Sequence, residues 1–500
     1  MAAYRQAVAL NPHDAAAYKN LGEVLYASGR IDAWLANFHV FEKNCPTSLS
    51  LAVQALEVSQ LTGDHERLDR YLDGLRLEKF PADDERALVD ALEELLFLLL
   101  NFDVEPQMLH RFAMTYDAAA SGVYGTPRPR PHPRRPGKIR LGYLSGDLRD
   151  HVMGKQMWQA IRHHDRDEFE LFFYATTPSL DAWTDKFTGI ADRFEVVAKL
   201  SDAEAADLID RDDLDLLIDL STHTKGARPG ILALKPARVQ ITHIASCGTV
   251  GLKAIDYKLT DRFADLPENQ EFMLETLLPM EGCVYPWRSV AAAGTQPFAR
   301  AALGIAPDTF VIGAFVSPLK LSRRCLALWR DVLERIPRAK LAFSPNHAAQ
   351  RPLYVRIAAA AGITVDRLLF LPQGRDEGEN QSRYALVDAV LDTLPYGGVN
   401  GTMEALAMGV PVVTLVGKRH GERSTYSILA NLGVLATVAQ GGREFVNIAA
   451  RLASDAAFMA EVRGAIRSGI EHSALTDMPA HTRHLEAAYL RALAERAPDP

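Results

Sequence analysis

The sequence predicts an α/β protein in which two doubly wound domains follow an all-α region. Within residues 1–125, apolar residues recur at steps of three and four, which is typical of helices. From Lys138 onward, short continuous apolar runs alternate with amphipathic helical patterns, and a Pro- and Ala-rich stretch at 284–306 divides this part into two halves. Continuous apolar strands separated by helices indicate parallel sheets that are covered on both faces.

Composition and charge exclude several classes of protein. The 500 residues include 55 Lys and Arg and 63 Asp and Glu, and the resulting net charge of −8 gives no support for a nucleic-acid or membrane-surface partner. The four cysteines are far apart and form no CxxC pair, so we expect reduced thiols and no structural zinc site. The longest apolar run, 95–100, is far shorter than the roughly 20 residues that cross a bilayer, and no signal peptide is visible. We therefore expect a cytoplasmic protein.

The helical region, residues 1–125, contains one stretch with the spacing of a tetratricopeptide repeat. Two similar segments end at Pro12 and Pro46, 34 residues apart. The aromatic, leucine and glycine positions between them also fit the repeat: Tyr18, Leu21, Gly22, Tyr26, Gly29 and Phe38. Only about one and a half repeat units can be recognised in the sequence, whereas stacked repeats need about three units for stability. The region should therefore depend on the rest of the protein for its stability. We expect it to form either a groove that binds a partner or acceptor, or a set of helices that packs against the lobes and binds no ligand.

A linker rich in proline and arginine, residues 126–137, separates the helices from the α/β part. Proline at alternate positions enforces an extended backbone with few hydrogen-bond donors. Beyond the linker we predict one doubly wound lobe at 138–290, a second at 305–475 and a final helix at 476–500. Ligands of open α/β sheets bind outside the carboxyl ends of the strands, so the expected site is the cleft between the two lobes.

Polar residues follow several of the predicted strands. In the first lobe, His151 ends the segment KIRLGYLSGDLRDH, and His223 lies in the loop STHTKGAR directly after an apolar run. In the second lobe, Lys320 lies just past the segment GAFVSP, and a glycine-rich loop at 397–401 leads into a helix that begins near Thr402. The unpaired N–H groups and the positive end of such a helix form an anion site.

The same loop carries further candidate ligands. Glu404, in the first turn of the predicted helix, could accept hydrogen bonds from ribose hydroxyls, and the segment HGERS places His420, Glu422 and Arg423 beside the same edge of the cleft. Other signatures are missing from the sequence: a GxxxxGK[ST] phosphate loop, a GxGxxG fingerprint after the first strand and a GxSxG serine elbow. The run Asp213-Leu-Asp215 imitates a metal-binding DxD motif but leads into a buried strand, so we expect no metal.

These segments, in this order, resemble the catalytic region of the O-GlcNAc transferase family. The resemblance covers about residues 138–496, and three segments match the family's own: KIRLGYLSGDLRDH with His151, STHTKGAR with His223 and SPLK with Lys320. The family consists of inverting glycosyltransferases preceded by tetratricopeptide repeats. The resemblance therefore implies a GT-B-type pair of Rossmann-like domains, a catalytic lobe at 138–290 and a UDP-binding lobe at 305–475, behind an all-α tetratricopeptide-like region.

The resemblance also implies a function and a site. It predicts a hexosyltransferase that transfers N-acetylglucosamine from UDP-N-acetylglucosamine to serine or threonine hydroxyls of proteins, with acceptor proteins or peptides bound by the tetratricopeptide-like helices. Neither a metal nor another cofactor is expected besides the UDP-sugar donor. The residues implied in catalysis are His151, His223 and Lys320. The residues implied in binding the nucleotide are Lys320, Asn400, Gly401, Thr402, Glu404 and Arg423.

The nucleotide loop keeps three alternatives open. The family usually has a histidine-threonine-threonine run before an acidic residue, whereas this chain has Val399-Asn400-Gly401 before Glu404. That form is closer to the bacterial N-glucosyltransferases, which modify asparagine with UDP-glucose. A second alternative is a UDP-N-acetylglucosamine epimerase with two Rossmann-like domains, although the reaction of such an enzyme does not require helical repeats. The third is a non-catalytic adaptor in which the repeats bind a partner and the loop has lost its donor.

Overall fold

The computed structural model describes residues 1–75, 85–128, 134–244, 246–288, 299–345 and 347–496. Helices fill its first part, as the sequence predicts. They are α1 (Ala2–Leu10), α2 (Ala15–Ala27), α3 (Ile31–Asn44), α4 (Leu49–Thr62), α5 (His65–Gly74), α6 (Glu85–Leu98) and α7 (Pro106–Tyr124). The repeat-like positions pack these helices together: the rings of Tyr18 and Phe41 stack with centroids 5.4 Å apart. A Cβ at Gly22 would overlap Nε2 of Gln54, so this glycine allows α2 to approach α4 closely.

The first α/β lobe is built on one parallel sheet with the strand order β3-β2-β1-β4-β5-β6-β7. Its strands are β1 (Ile139–Ser145), β2 (Phe169–Ala175), β3 (Arg193–Val196), β4 (Leu216–Asp219), β5 (Val239–Thr242), β6 (Tyr257–Asp261) and β7 (Thr276–Met280). Its helices are α8 (Val152–Ile161), α9 (Ala182–Ile190), α10 (Asp202–Arg211) and α11 (Pro229–Ala233). The parallel strands predicted from the continuous apolar runs are present, and β6 and β7 form one edge of the sheet.

The second lobe repeats this plan with the order β10-β9-β8-β11-β12-β13, again all parallel. Its strands are β8 (Phe310–Gly313), β9 (Ala339–Phe343), β10 (Leu368–Phe370), β11 (Ala389–Leu391), β12 (Val412–Leu415) and β13 (Val438–Ala439). Its helices are α12 (Arg323–Arg335), α13 (Arg351–Ala360), α14 (Glu377–Ser382), α15 (Asn400–Ala407), α16 (Ser424–Leu432), α17 (Gly442–Ser454) and α18 (Ala456–His472). Each lobe is thus a doubly wound, Rossmann-like domain.

The last helix, α19 (Met478–Glu495), returns to the first lobe. Oε1 of Glu486 lies 2.8 Å from Nδ1 of His164 and accepts a 2.8 Å hydrogen bond from the Asp165 N–H. The hydroxyl of Tyr257 on β6 donates to Glu495 at 2.9 Å. The chain therefore crosses between the lobes twice, and its final helix covers the lobe with which the α/β part begins.

The helical region packs against both lobes, in agreement with the expectation that it depends on the rest of the protein. The amide of Gln60 on α4 donates to the Leu321 carbonyl of the second lobe at 2.6 Å. Gly251 of the first lobe lies so close to α6 and α7 that a Cβ there would be 3.2 Å from side-chain atoms of Leu96 and Tyr116. Among the helices of the described ranges, none combines the length and the apolar character needed to cross a membrane.

Candidate functional site

The polar residues singled out in the sequence lie at the points where the strand order of each sheet reverses. His151 follows β1, and His223 follows the neighbouring strand β4. Lys320 follows β8, and the loop 397–401 follows the neighbouring strand β11. A crevice opens at such a point in a doubly wound sheet, outside the carboxyl ends of the strands. The predicted residues therefore lie at the reversal point of the strand order in both lobes.

The two crevices face each other across the cleft. Nε2 of Gln156 on α8 donates to the Pro286 carbonyl at 3.0 Å and lies 3.7 Å from Sδ of Met403 on α15. Arg288, which follows the last strand of the first lobe, donates to Glu377 at 2.6 Å and to Glu404 at 3.2 Å in the second lobe. Side chains of both lobes thus meet at the wall of one site.

Lys320 supplies a positive charge beside the glycine-rich loop. Its Nζ donates to the Gly397 carbonyl at 3.2 Å and lies 3.8 Å from the centroid of the Tyr396 ring. Within the described ranges it forms no ion pair with a carboxylate, and burial lowers the pKa of Lys320 while Cys247 and Asp392 oppose that change. An ammonium group held only by a carbonyl and a ring can still bind an anion.

The loop between β11 and α15 is held in place by a buried carboxylate. Oδ1 of Asp392 accepts a 2.9 Å hydrogen bond from the Gly398 N–H, and Oδ2 accepts from the Thr414 hydroxyl at 2.8 Å. Burial raises the pKa of Asp392, and these hydrogen bonds oppose the rise. A Cβ at Gly397 would lie 2.9 Å from the Gly421 carbonyl oxygen, which is too close for any residue except glycine. The backbone here is therefore fixed before any ligand binds.

The helix after this loop begins without a cap. Its N-cap residue, Val399, makes no capping side-chain hydrogen bond within the described ranges, and a Cβ at Gly401 would meet nothing within 4 Å. The Thr402 hydroxyl lies 3.2 Å from the Gly398 carbonyl and 2.9 Å from the Thr425 hydroxyl, so its side chain is occupied inside the lobe. What Gly401 and Thr402 can offer a ligand is their backbone N–H groups at the positive end of the helix.

Glu404 is held by three donors. Its Oε1 accepts from the amide of Asn400 at 2.8 Å and from Arg288 at 3.2 Å, and its Oε2 accepts from the hydroxyl of Tyr384 at 3.2 Å. Burial and the Glu404 charge raise the pKa of Tyr384, so its phenol remains a donor. Oδ1 of Asn400 is buried and has no hydrogen-bond partner among the residues that the structure describes. Sequence reasoning missed Arg288 and Tyr384, because neither lies in a strand-end motif.

His151 is the N-cap of α8 and lies at the mouth of the site. Its Nδ1 is 3.3 Å from the Met153 N–H and 3.2 Å from Oδ2 of Asp147. Burial raises the pKa of Asp147. The His151 side chain is 41% exposed, and no residue in the described part of the chain hydrogen-bonds to its Nε2. One imidazole nitrogen is thus occupied by the protein and the other remains open to a ligand.

His223 has the opposite environment. Its Nε2 lies 2.8 Å from the Val250 carbonyl oxygen, so Nε2 carries the proton and Nδ1 is left as an acceptor. Nδ1 is buried and has no partner in the described residues. Burial lowers the pKa of His223 to about 4, and the edge of the Tyr116 ring packs against it with centroids 5.6 Å apart. This histidine is therefore neutral at pH 7.

Arg423 and His420 join the lobes behind the loop. The Arg423 guanidinium donates to the Phe263 carbonyl at 2.8 Å and to the Gly417 carbonyl at 3.0 Å, so its nucleotide-binding role stays a prediction. Nδ1 of His420 lies 2.5 Å from Oδ2 of Asp265, and its Nε2 lies 2.7 Å from the Tyr285 hydroxyl. Within the described ranges, no group of three or more His, Cys, Asp or Glu side chains is placed to hold a metal ion.

The comparisons with known proteins agree on one family. The sequence model of glycosyl transferase family 41 matches residues 126–283 and 295–485. SPINDLY of Arabidopsis thaliana, named as a probable UDP-N-acetylglucosamine–peptide N-acetylglucosaminyltransferase, is 29% identical over 366 residues, which cover 71% of this chain and 39% of that protein. SEC of the same plant, named in the same way, is 28% identical over 357 residues, or 68% and 36%. The chain thus spans about two fifths of the length of these curated relatives.

A solved structure extends the likeness over nearly the whole chain. A substituted form of the O-GlcNAc transferase of Thermobaculum terrenum matches with a TM-score of 0.84 and 28% sequence identity, covering 99% of this chain and 94% of that one. The predicted fold, a GT-B-type pair of Rossmann-like lobes behind an all-α region, is confirmed.

Proposed function

The chain belongs to glycosyl transferase family 41, and from that premise we propose that it is an inverting hexosyltransferase that transfers N-acetylglucosamine from UDP-N-acetylglucosamine to serine or threonine hydroxyls of proteins. One observation carries the proposal. Lys320 and the uncapped start of α15 lie at the reversal point of one sheet, and His151 and His223 lie at the reversal point of the other. The sugar and the acceptor residue are proposed from the names of the relatives in the comparison.

The leaving diphosphate is stabilised by the second lobe. The acceptor oxygen attacks the anomeric carbon on the face opposite UDP, the bond from this carbon to the diphosphate breaks, and its electron pair leaves with the diphosphate. The Lys320 ammonium and the N–H groups of Gly401 and Thr402 neutralise the charge that develops there. One such preorganised donor contributes about 3–4 kcal/mol to stabilising a transition state. Glu404, oriented by Tyr384, receives the ribose hydroxyls.

The acceptor is handled by the first lobe. Neutral His223 accepts a hydrogen bond from the attacking hydroxyl through its unpartnered Nδ1, which orients the nucleophile. A histidine with a pKa of about 4 is a poor proton acceptor at pH 7. His151 is partly exposed, and in the tautomer whose Nδ1–H donates to Asp147 its open Nε2 carries no proton, so Nε2 takes up the proton of the acceptor as the new bond forms.

Calorimetric titration of the 500-residue chain with UDP, UDP-N-acetylglucosamine and UDP-glucose tests the donor site. UDP should bind the wild type, and Lys320→Ala should weaken binding by at least about tenfold because an unpaired ammonium is lost at the diphosphate. Lys43→Ala, an exposed position on α3, is the matched control and should bind UDP unchanged. GDP serves as the nucleotide control. Failure of the folded wild type to bind UDP would overturn the proposal and favour the non-catalytic adaptor.

Mass spectrometry of proteins modified by the chain tests the sugar and the acceptor. An N-acetylhexosamine on serine or threonine supports the proposal. A hexose on asparagine supports the second candidate, a protein N-glucosyltransferase that uses UDP-glucose. One observation favours that candidate: Asn400 stands where the family usually has part of its histidine-threonine-threonine run, and its amide binds Glu404 at 2.8 Å.

A further inference from the structure

The wall beside His223 belongs to the helical region. Tyr116, on α7, forms a T-shaped contact with the imidazole, with 5.6 Å between centroids and 79° between planes, and it is fully buried. Tyr116 is itself fixed, because its hydroxyl donates to Oε1 of Glu93 on α6 at 2.9 Å. The hydroxyl of Tyr124 donates to the same oxygen at 2.7 Å. Two helices that precede the α/β part thus hold one ring against a histidine of the site.

The loop that receives the His223 hydrogen bond rests on the same helices. Gly251 has φ +75°, and a Cβ there would lie 3.2 Å from Tyr116 and 3.3 Å from the backbone of Ala113. On the other side, the Val250 N–H donates to Oε1 of Glu275 at 2.7 Å. The Val250 carbonyl, which fixes the protonated nitrogen of His223, is therefore clamped between α7 and Glu275.

Among the described residues, no charged group offsets the effect of burial on the pKa of His223. The carboxylates on the elements around it have other partners: Asp219 at the end of β4 accepts from Ser221, Thr222 and Thr242, Glu275 accepts from Thr249 and Val250, and Glu93 accepts from Tyr116 and Tyr124. Desolvation alone therefore keeps the pKa of His223 at about 4, with the Val250 carbonyl opposing it. Whatever excludes water from the ring controls its protonation.

We infer that the helical region is part of the active site itself, with Tyr116 as a positioning residue that keeps His223 dry, neutral and in the tautomer whose Nδ1 is free. This inference rests on the proposed function, since it gives the free nitrogen an acceptor hydroxyl to bind. It assigns the helices a role in the chemistry in addition to any role in holding acceptor proteins. Separating the helices from the lobes would then remove activity even toward a short acceptor peptide.

The test is a pH titration of histidine resonances in the full chain by NMR, with His223 identified among the 15 histidines by its absence from His223→Asn. The wild type should show His223 titrating near pH 4. Tyr116→Phe keeps the aromatic ring, and Glu93 still accepts a hydrogen bond from the Tyr124 hydroxyl. The titration midpoint of His223 should therefore stay the same in this variant. Tyr116→Ala opens the wall to water and should raise the midpoint by at least about one pH unit, toward the ordinary value.

Tyr116→Leu is the second variant, because it keeps most of the buried volume if the alanine variant does not fold. It should also raise the midpoint, and it should lower kcat of transfer while leaving the affinity for UDP unchanged. A folded Tyr116→Leu with an unmoved His223 midpoint would overturn the inference. The titration needs no substrate, so its outcome is independent of the proposed function, which UDP binding by the wild type tests separately.

Discussion

The two sides of the cleft are built in different ways. The side proposed for the diphosphate comes from one lobe, where Asp392, Gly397 and the start of α15 lie within a short stretch and Lys320 is added from the neighbouring strand end. The side proposed for the acceptor is assembled from distant parts: His223 from the first lobe, the Val250 loop beside it and Tyr116 from the helical region. Backbone geometry therefore defines the donor side, whereas packing between separate elements defines the state of the side chains on the acceptor side.

The largest expected effect is a loss of sugar transfer without a loss of UDP binding, which distinguishes the two sides of the cleft. His151→Asn keeps an N-cap acceptor for α8 but removes the imidazole, so we expect the rate of sugar transfer to fall by about 100-fold or more. UDP affinity should stay unchanged, because His151 lies on the opposite lobe. Enzyme kinetics and calorimetry measure the two quantities. His163→Asn, at an exposed position two residues after the end of α8, is the matched control. Transfer by His151→Asn within about twofold of the wild type would show that another group takes the proton.

The next effect tests whether backbone geometry defines the donor side. Gly397→Ala places a Cβ 2.9 Å from the Gly421 carbonyl oxygen and 3.0 Å from Oδ2 of Asp392, so the loop must shift. We expect UDP affinity to fall at least about tenfold, with a loss of about 1–3 kcal/mol in the free energy of unfolding. Gly401→Ala, at a helical position with open space, should keep or raise the stability. Equal UDP binding by Gly397→Ala and the wild type would contradict the prediction.

The same contrast explains what could be predicted from the sequence. Strands such as β1 and β4 are continuous apolar runs, and Lys320 and the glycine-rich loop follow strands directly, so local pattern and chain order were enough to locate them. The strand β6 lacks this pattern, because polar residues interrupt its apolar ones although all of them are buried. Oδ1 of Asp261 accepts from nearby N–H groups, but its Oδ2 accepts from the Val284 N–H and the Ser427 hydroxyl, which are far along the chain and which no local pattern reveals.

Residues that reach the site from other parts of the chain could not be predicted from the sequence for the same reason. Tyr116 has the sequence context of an ordinary core residue of a helix, and Arg288 lies in an irregular segment after β7. Both acquire their roles only when separate elements pack together. The docking of α19 on the first lobe was equally invisible, since its contacts with His164 and Tyr257 join positions more than 200 residues apart. The site residues that could be read from the sequence are those whose geometry is set by the strand they follow.

A smaller effect concerns the joint between the lobes. Burial by itself raises the pKa of Asp265, but His420, together with Lys258 and the Thr260 hydroxyl, lowers it to about 2, against an ordinary value of 3.8. The pKa of Asp265 is lower in the folded state than in the unfolded state, so its ionised carboxylate stabilises the fold. This contribution to the free energy of unfolding is complete at pH values above the ordinary pKa and disappears as the pH falls from about 4 to about 2. Asp265→Asn should therefore lose about 2 kcal/mol of unfolding free energy at pH 7.

Chemical denaturation at several pH values checks this prediction. The gap between Asp265→Asn and the wild type should be constant from pH 7 to about pH 5 and should narrow below pH 4. Asp207→Asn, whose side chain is 56% exposed in its ion pair with Arg128, is the control and should change stability by less than about 0.5 kcal/mol. A gap that does not depend on pH would show that the carboxylate acts through packing and hydrogen bonds rather than through its charge.

The smallest effect tests whether the acceptor side depends on packing between elements. Lys258 is 3% exposed, and its Nζ donates to the carbonyls of Ser246 and Gly248 at 3.0 Å each. Lys258→Met keeps the length of the side chain and removes both donors, which should cost about 1–2 kcal/mol of unfolding free energy and loosen the loop that carries Val250. Lys253→Met, at an exposed ion pair, should cost less than about 0.5 kcal/mol.

The titration midpoint of His223 tests whether this packing positions the acceptor. If it does, the midpoint should rise in Lys258→Met but not in Lys253→Met. An unchanged midpoint in both variants would leave Tyr116 alone responsible for the protonation state of the histidine.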